Sequence, residues 1–202
     1  MILSVIRHAS TAWNEQGRMQ GRRDEPLSAR GRAQVSAWRL PAELAAPVRW
    51  YSSPLRRAVE TARLLSGREP QRENALVEMD WGEWEGFALD ALRTRFNAEF
   101  ARNEALGLDF QPPGGESPRD VLIRVRRWLA GISREASPVV AVTHNGVLRA
   151  ILAAATGWDM TAKPPLKMRA NAVHQFSVSD DGSLTVLECN IALAASARIE
   201  AP

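Results

Sequence analysis

The chain has 202 residues, 45% of them hydrophobic and 24% charged, which is enough apolar material for one compact core, makes two full domains a tight fit, and excludes wholesale disorder. Its lone cysteine, Cys189, excludes an intramolecular disulfide and fits a reducing cytoplasm; the apolar start at residues 1–6 is too short for a signal peptide, and no run approaches membrane-spanning length. The net charge of +3 comes almost wholly from scattered arginines, lysine occurring only at Lys163 and Lys167, with no motif that argues for nucleic acid.

In chain order, residues 2–6 read as a short buried strand that delivers Arg7 and His8 to its carboxyl end. Residues 10–26 read as a loop, after which Ser28 caps a helix through Val35 and Trp38 that Pro41 breaks. A second strand spans 48–51. Ser53 and Pro54 supply an N-cap and a first helical position, and the helix of residues 55–66 presents Arg57 on its first turn. Residues 75–79 read as a short strand ending near Glu78. An aromatic-rich stretch follows, with a helix at 89–104 and turns at 112–115.

Ser117-Pro118 starts an amphipathic helix with Val121, Leu122, Val125, Trp128 and Leu129 on one face. Residues 138–143 form the central strand of the pattern, 146–155 a helix, and 172–178 with 184–189 a closing hairpin around Asp181-Gly182. Strands alternating with helices predict an α/β fold. We expect one domain spanning 1–202, a three-layer α/β/α sandwich on a mostly parallel sheet with an antiparallel edge and a lid at about 81–117.

Such sheets place their sites at the carboxyl ends of strands, where helix N-termini also offer free N–H groups to an anion. Both His8 and His144 fall at strand ends, each in a polar motif: Arg7-His8-Ala9-Ser10-Thr11-Ala12-Trp13-Asn14 with Gln20-Gly21, and Thr143-His144-Asn145-Gly146-Val147-Leu148-Arg149. A neutral imidazole beside a guanidinium suits attack on phosphorus. Either histidine alone would read as an ordinary core or surface residue; the motifs around them decide otherwise.

These segments, with Ser52-Ser53-Pro54-Leu55-Arg56-Arg57-Ala58 and Leu76-Val77-Glu78-Met79-Asp80-Trp81-Gly82-Glu83-Trp84-Glu85-Gly86, resemble the histidine phosphatase superfamily, in order and over most of the chain. The resemblance implies that His8 is the nucleophile that becomes phosphorylated, that Arg7 and Arg57 clamp the phosphate, that His144 stabilises the transferring group, and that Glu78 is the general acid. It implies that Thr11 and Asn14 complete the pocket, with Gln20 and Gly21 contacting substrate, and Asn145, next to His144, is expected to join them in binding substrate or phosphate. Asp80, Glu83 and Glu85 compete with Glu78 for the acid role, and burial would raise the acid's pKa while the arginines lower it.

The segment Gly115-Glu116-Ser117 either caps a helix or touches substrate, and His174 reads as a strand histidine with structural or surface placement. Ala9 stands where the family usually has glycine, harmless if φ is negative, and Asn145 stands where many relatives also have glycine. No metal and no cofactor is expected.

Phosphoglycerate mutases of the family carry a longer insertion with a lysine and paired arginines, whereas this chain has Trp81, Trp84, Phe87, Phe96, Phe100 and Phe110. The expected activity is therefore hydrolysis of a small organic phosphate monoester, on the α-ribazole-phosphate or broad-specificity pattern. The alternatives are a mutase-type phosphotransferase and a catalytically idle phospho-ligand binder.

Overall fold

The structure is a computed structural model that describes residues 1–44, 48–135 and 137–195. In chain order its elements are β1 (Ile2–Arg7), α1 (Ala12–Glu15), α2 (Ala29–Ala37), β2 (Trp38–Arg39), β3 (Arg49–Ser52), α3 (Arg56–Ser66), β4 (Gln71–Arg72), α4 (Leu89–Glu104), α5 (Pro118–Ile132), β5 (Val139–Thr143), α6 (Asn145–Thr156), β6 (Ala172–Val178), β7 (Leu184–Ala192) and β8 (Ala194–Ala195), with short 3₁₀ turns between several of them. Six strands form one sheet in the order β4-β3-β5-β1-β6-β7, and β2 pairs with β8 apart from it.

The central strands are buried on both faces, so they read as continuous apolar runs rather than as alternating ones. On one face Leu3, Val5, Val139 and Ala141 pack with Val121, Val125 and Leu129 of α5 and with Val147 and Ile151 of α6. On the other, Ile6, Val140 and Val142 pack with Val35 of α2 and with Ala58 and Ala62 of α3. This is the expected three-layer sandwich. At about 1.5–3 kcal/mol for each fully buried Val, Leu or Ile, β5, buried at all five positions, anchors both layers.

β1 pairs in parallel with β5, Arg7 opposite Thr143. The next residues on the two strands, His8 and His144, are therefore brought side by side at one end of the sheet. From β1 the chain goes on to β3, on the far side of β5, and from β5 it crosses to β6, on the far side of β1. The two histidines thus sit where the winding direction reverses, the usual location of a ligand crevice in such sheets.

Three local expectations need correction. The helix after β3 starts at Arg56 with Leu55 as N-cap and no side-chain cap. Asp24 takes over that role, its carboxylate accepting from Arg56 N at 2.7 Å, while Ser53 Oγ accepts from Leu55 N. Residues 75–79 are not a strand: residues 74–76 form a 3₁₀ turn, and Arg124 and Thr143 side chains hydrogen-bond the carbonyls of Ala75, Leu76 and Val77 that a neighbouring strand would have used. The loop after His8 contains α1, closed by a reciprocal cap between Thr11 and Asn14. The antiparallel edge is as expected: β6 runs against β1, and the edge strand β7 runs against β6 in the closing hairpin.

The 81–117 stretch carries α4 and packs Trp84, Phe100 and Phe110 on one another with ring centroids 5.0–6.0 Å apart. All three are buried in the core beneath α5 and α6. The Gly115-Glu116-Ser117 segment serves as a cap: Ser117 and Asp120 form a reciprocal box at the start of α5, and Glu116 pairs with Arg124 and Arg22.

Candidate active site

A cavity of about 640 Å³ opens at the carboxyl end of the sheet. Its inner end is lined by Arg7, His8, Asn14, Gln20, Gly21, Arg57, Glu78, Asn145 and Gly146. Thr11 is absent from this lining. It is fully buried behind Asn14 and Gln20, which its hydroxyl contacts at 3.1 and 2.9 Å, so it positions the rim rather than forming it. Ala9 keeps a negative φ, which removes any strain from its methyl group, and its N–H donates to Thr61 Oγ1. Thr61 in turn donates to the carbonyl of Arg57, tying the His8 loop to α3.

The two imidazoles lie with ring centroids 5.0 Å apart, in opposite hydrogen-bonding states. His8 Nδ1 lies 2.7 Å from the carbonyl of Ala9, and because a carbonyl only accepts, Nδ1 carries the proton and Nε2 keeps a free lone pair. His144 Nδ1 lies 3.2 Å from Arg57 Nε, and because a guanidinium only donates, Nδ1 carries the lone pair and the neutral ring is protonated at Nε2. Burial, then the charges of Arg57 and Arg7, hold the His8 pKa well below 6.5, and burial and Arg57 do the same for His144. Both rings are neutral, His8 with a free lone pair on Nε2 and His144 with a free N–H on Nε2. The expectation of a charged or donating His144 narrows to the donating neutral form.

Four buried side-chain polar atoms lack a hydrogen-bond partner among the described residues, and two of them, Arg7 Nε and His144 Nε2, are in this site. Buried donors are normally satisfied, since leaving one unpaired costs about 1–3 kcal/mol. A guanidinium and an imidazole N–H beside a nucleophilic nitrogen fit the non-bridging oxygens of a phosphoryl group. Arg57 is arranged differently from a simple clamp. Three of its N–H groups are committed to His144 Nδ1 and to the carbonyls of Arg23 and Gly21, so it sets the tautomer of His144 and pins the 21–23 loop.

Glu78 is the one carboxylate of the inner end; the other one in the cavity wall, Glu104, is paired with Arg93. Of the competing acids, Asp80 pairs with Arg22, Glu85 holds the N–H of Arg22 and faces Arg23, and Glu83 does not line the cavity. The Glu78 carboxyl is bonded by the N–H groups of Met79 at 2.8 Å and Gly146 at 3.0 Å, in the first turn of α6. Burial pushes its pKa up, and those N–H groups and both arginines only partly oppose it. Gly146 is what lets this happen, because a Cβ there would lie 2.5 Å from Glu78 Oε1. Gly21 plays a similar part at φ +51, where a Cβ would lie 2.0 Å from Glu85 Oε1.

Gly146 lies inside a sequence motif and Thr61 three residues past another, and the expectations assigned neither a role in the site. Their contacts, to Glu78 and to Ala9, come from chain segments far away in sequence, which a motif read in isolation does not reveal. Of the two placements open to His174, structural or surface, it has the structural one, buried in β6 with Nε2 against the carbonyl of Arg169 and Nδ1 accepting from Asn190 N.

Comparison with known proteins agrees with this geometry. The family model of the histidine phosphatase superfamily (branch 1) matches residues 3–191, and the chain belongs to that superfamily. It is 33% identical over 168 residues to phosphoserine phosphatase 1 of Hydrogenobacter thermophilus, covering 79% of this chain and 78% of that one. It is 29% identical over 166 residues to a 2,3-bisphosphoglycerate-dependent phosphoglycerate mutase of Gloeobacter violaceus, covering 75% and 74% of the two chains. Among solved structures, a mycobacterial glucosyl-3-phosphoglycerate phosphatase in complex with VO3 superposes with a TM-score of 0.76 at 30% identity, over 96% of this chain and 99% of that chain. The chain is a phosphatase, of a family whose general mechanism is phosphohistidine transfer. Among the described residues no helix is long and apolar enough to cross a membrane.

Proposed function

We propose that the chain is a metal-independent phosphomonoester hydrolase that uses His8 Nε2 as nucleophile and Glu78 as general acid, on a small organic monophosphate in the cytoplasm. The observation that carries this is the opposed pair of neutral imidazoles, one with a free lone pair and one with a free N–H, beside the unpartnered guanidinium nitrogen of Arg7. In the first step the Nε2 lone pair forms a bond to phosphorus as the P–O bond to the organic group breaks. The electrons of that bond leave on oxygen, which takes the Glu78 proton and departs as an alcohol. Arg7, Arg57 and His144 Nε2–H carry the charge on the non-bridging oxygens, Asn14 and Gln20 line the rim, and Asn145 and Gly146 bring the N-terminus of α6 to the same place.

In the second step water attacks phosphorus and gives its proton to the Glu78 carboxylate, and the N–P bond electrons return to Nε2. Release as hydrolysis rather than retained transfer is supported by the lid, which has no lysine and whose one cation on the cavity wall, Arg93, is neutralised by Glu104. The test is a millisecond exposure to phosphorus-labelled substrate followed by an alkaline quench. The label should sit on His8, be absent in His8→Ala, and form equally with and without chelator. Full turnover in His8→Ala, or loss of activity on chelation, would overturn the reading, and efficient phosphoglycerate interconversion would favour the mutase.

A further inference from the structure

The outer half of the cavity holds a cation that the chemistry above does not use. Arg149 lies on α6 four residues after Asn145, so the two share a helix face, and both line the cavity. Arg149 is half-buried, and among the described residues its guanidinium has no carboxylate and no hydrogen-bond partner. The other cations of this half differ: Arg93 is paired with Glu104, and Arg18 is exposed.

The wall around Arg149 is built rather than casual. Its guanidinium carbon sits 4.8 Å from the ring centroid of Trp158, and the indole is fixed by Nε1 donating to the carbonyl of Ala162. Between them the turn is held by Asp159, whose carboxylate accepts from Thr161 N and Oγ1 and whose carbonyl accepts from Leu108 N. Met160, at the cavity surface, is forced to φ +66, a left-handed backbone that a non-glycine residue adopts only when its surroundings impose it. Stacking on an indole orients a guanidinium and leaves its fork edge free for an anion.

We propose that Arg149 is a specificity-determining residue that binds a carboxylate carried by the organic part of the substrate, making the preferred substrate class phosphomonoesters of carboxylic acids. This rests on the phosphatase reading above. A single unpaired guanidinium matches a monoanion, and the apolar surface of Met19, Trp81, Phe100 and Phe110 between the two ends takes the connecting carbon skeleton.

The experiment compares kcat/KM for O-phosphoserine, 3-phosphoglycerate and phosphoglycolate with that for the primary amide of each, which keeps shape and removes charge. In the wild type the acid should be favoured by at least about tenfold in one or more pairs, since a charge-assisted hydrogen bond contributes roughly 1.5–3 kcal/mol. In Arg149→Met that ratio should fall to near one, and Arg149→Lys, which keeps the charge, should recover part of it. A wild-type ratio near one in all three pairs overturns the proposal without reference to how well any variant folds. So does an unchanged ratio in Arg149→Met, which would mark the residue as structural only. Failure of the phosphatase reading itself would look different: no turnover of p-nitrophenyl phosphate and no label on His8.

Discussion

At the inner end of the cavity the lining side chains leave strand ends or helix starts and most are tied to a second element, whereas the outer end is walled by the 81–117 stretch and the 158–161 turn. Inside, His8 and His144 are placed by the register of β1 against β5, and Arg57 commits three N–H groups to His144 and the 21–23 loop. Outside, Arg18 and Arg149 line the cavity with no carboxylate partner among the described residues, each stacked on an indole, Trp13 and Trp158. The contrast separates two jobs. On the proposed function the phosphoryl group is common to every substrate, and its binders are locked by strand register and hydrogen bonds; the organic body varies, and the group proposed to meet it, Arg149, keeps a guanidinium free among the described residues although α6, which carries it, belongs to the core.

Substitutions at the inner end should therefore strike every substrate, and the largest effect is expected at His8. His8→Ala leaves no nucleophile and should lower kcat for any phosphate ester by at least about 10⁴-fold, in line with the loss of a covalent nucleophile elsewhere. Stopped-flow release of p-nitrophenol checks this. A uniform drop keeps the comparison; a drop confined to one substrate breaks it.

Glu78→Gln comes next. General acid catalysis contributes about 10²- to 10⁴-fold, and its loss should appear almost fully with an alkyl phosphate and only weakly with p-nitrophenyl phosphate, whose leaving group needs no proton. Single-turnover rates are the measure, because breakdown of the phosphoenzyme could limit both esters. Equal losses for the two, or a larger selective loss in Asp80→Asn, would move the acid role elsewhere.

Gly146→Ala sharpens the same point without touching a titratable group. Its methyl would lie 2.5 Å from Glu78 Oε1 and must displace the carboxyl. A shift of about 1 Å at a catalytic group can cost on the order of 10²-fold. The loss should carry the same leaving-group signature as Glu78→Gln, while α6 itself gains roughly 1 kcal/mol of helix propensity. Activity and thermal stability should thus move in opposite directions, and a parallel fall in both would mean that the helix, not Glu78, was disturbed.

Much of the inner end is legible in the amino-acid sequence. The strand-then-histidine pattern locates β1, β5 and both imidazoles, because a buried strand is a short apolar run and its end is marked by the first polar residues. The helical stretch at 89–104 and the helix start at Ser117 are equally plain, although the break at Asn97 within the first is not. What the sequence hides is set by partners far away in the chain. Asp24 moves the start of α3 past Ser53-Pro54; Arg124 and Thr143 satisfy the backbone of residues 75–77 and so keep it from being a strand. In the site, the motifs locate Arg57 but not the direction of its N–H groups, and that direction is what decides the tautomer of His144.

The smallest expected effect is on stability, and it tests whether the inner end is electrostatically distinct from the outer. His8 and His144 have folded pKa values well below 6.5, so as pH falls through 6.5 the unfolded chain takes up protons that the folded one does not, and stability is lost toward acid. Between pH 6.5 and 5.5 each such histidine removes about 1 kcal/mol. Glu78 acts in the opposite sense: its raised pKa means the folded state keeps a proton that the unfolded chain releases above 4.5, so its contribution is lost as pH rises from there toward the folded pKa. Urea midpoints at the two pH values should therefore show the acid loss shrinking by about 1 kcal/mol in His8→Asn and growing in Glu78→Gln. Arg149→Met should leave the difference where it was, because a guanidinium does not titrate in this window. An unchanged acid loss in His8→Asn would mean that the nucleophile is not held neutral by the fold, and the division between a preset inner end and an adaptable outer one would lose its electrostatic half.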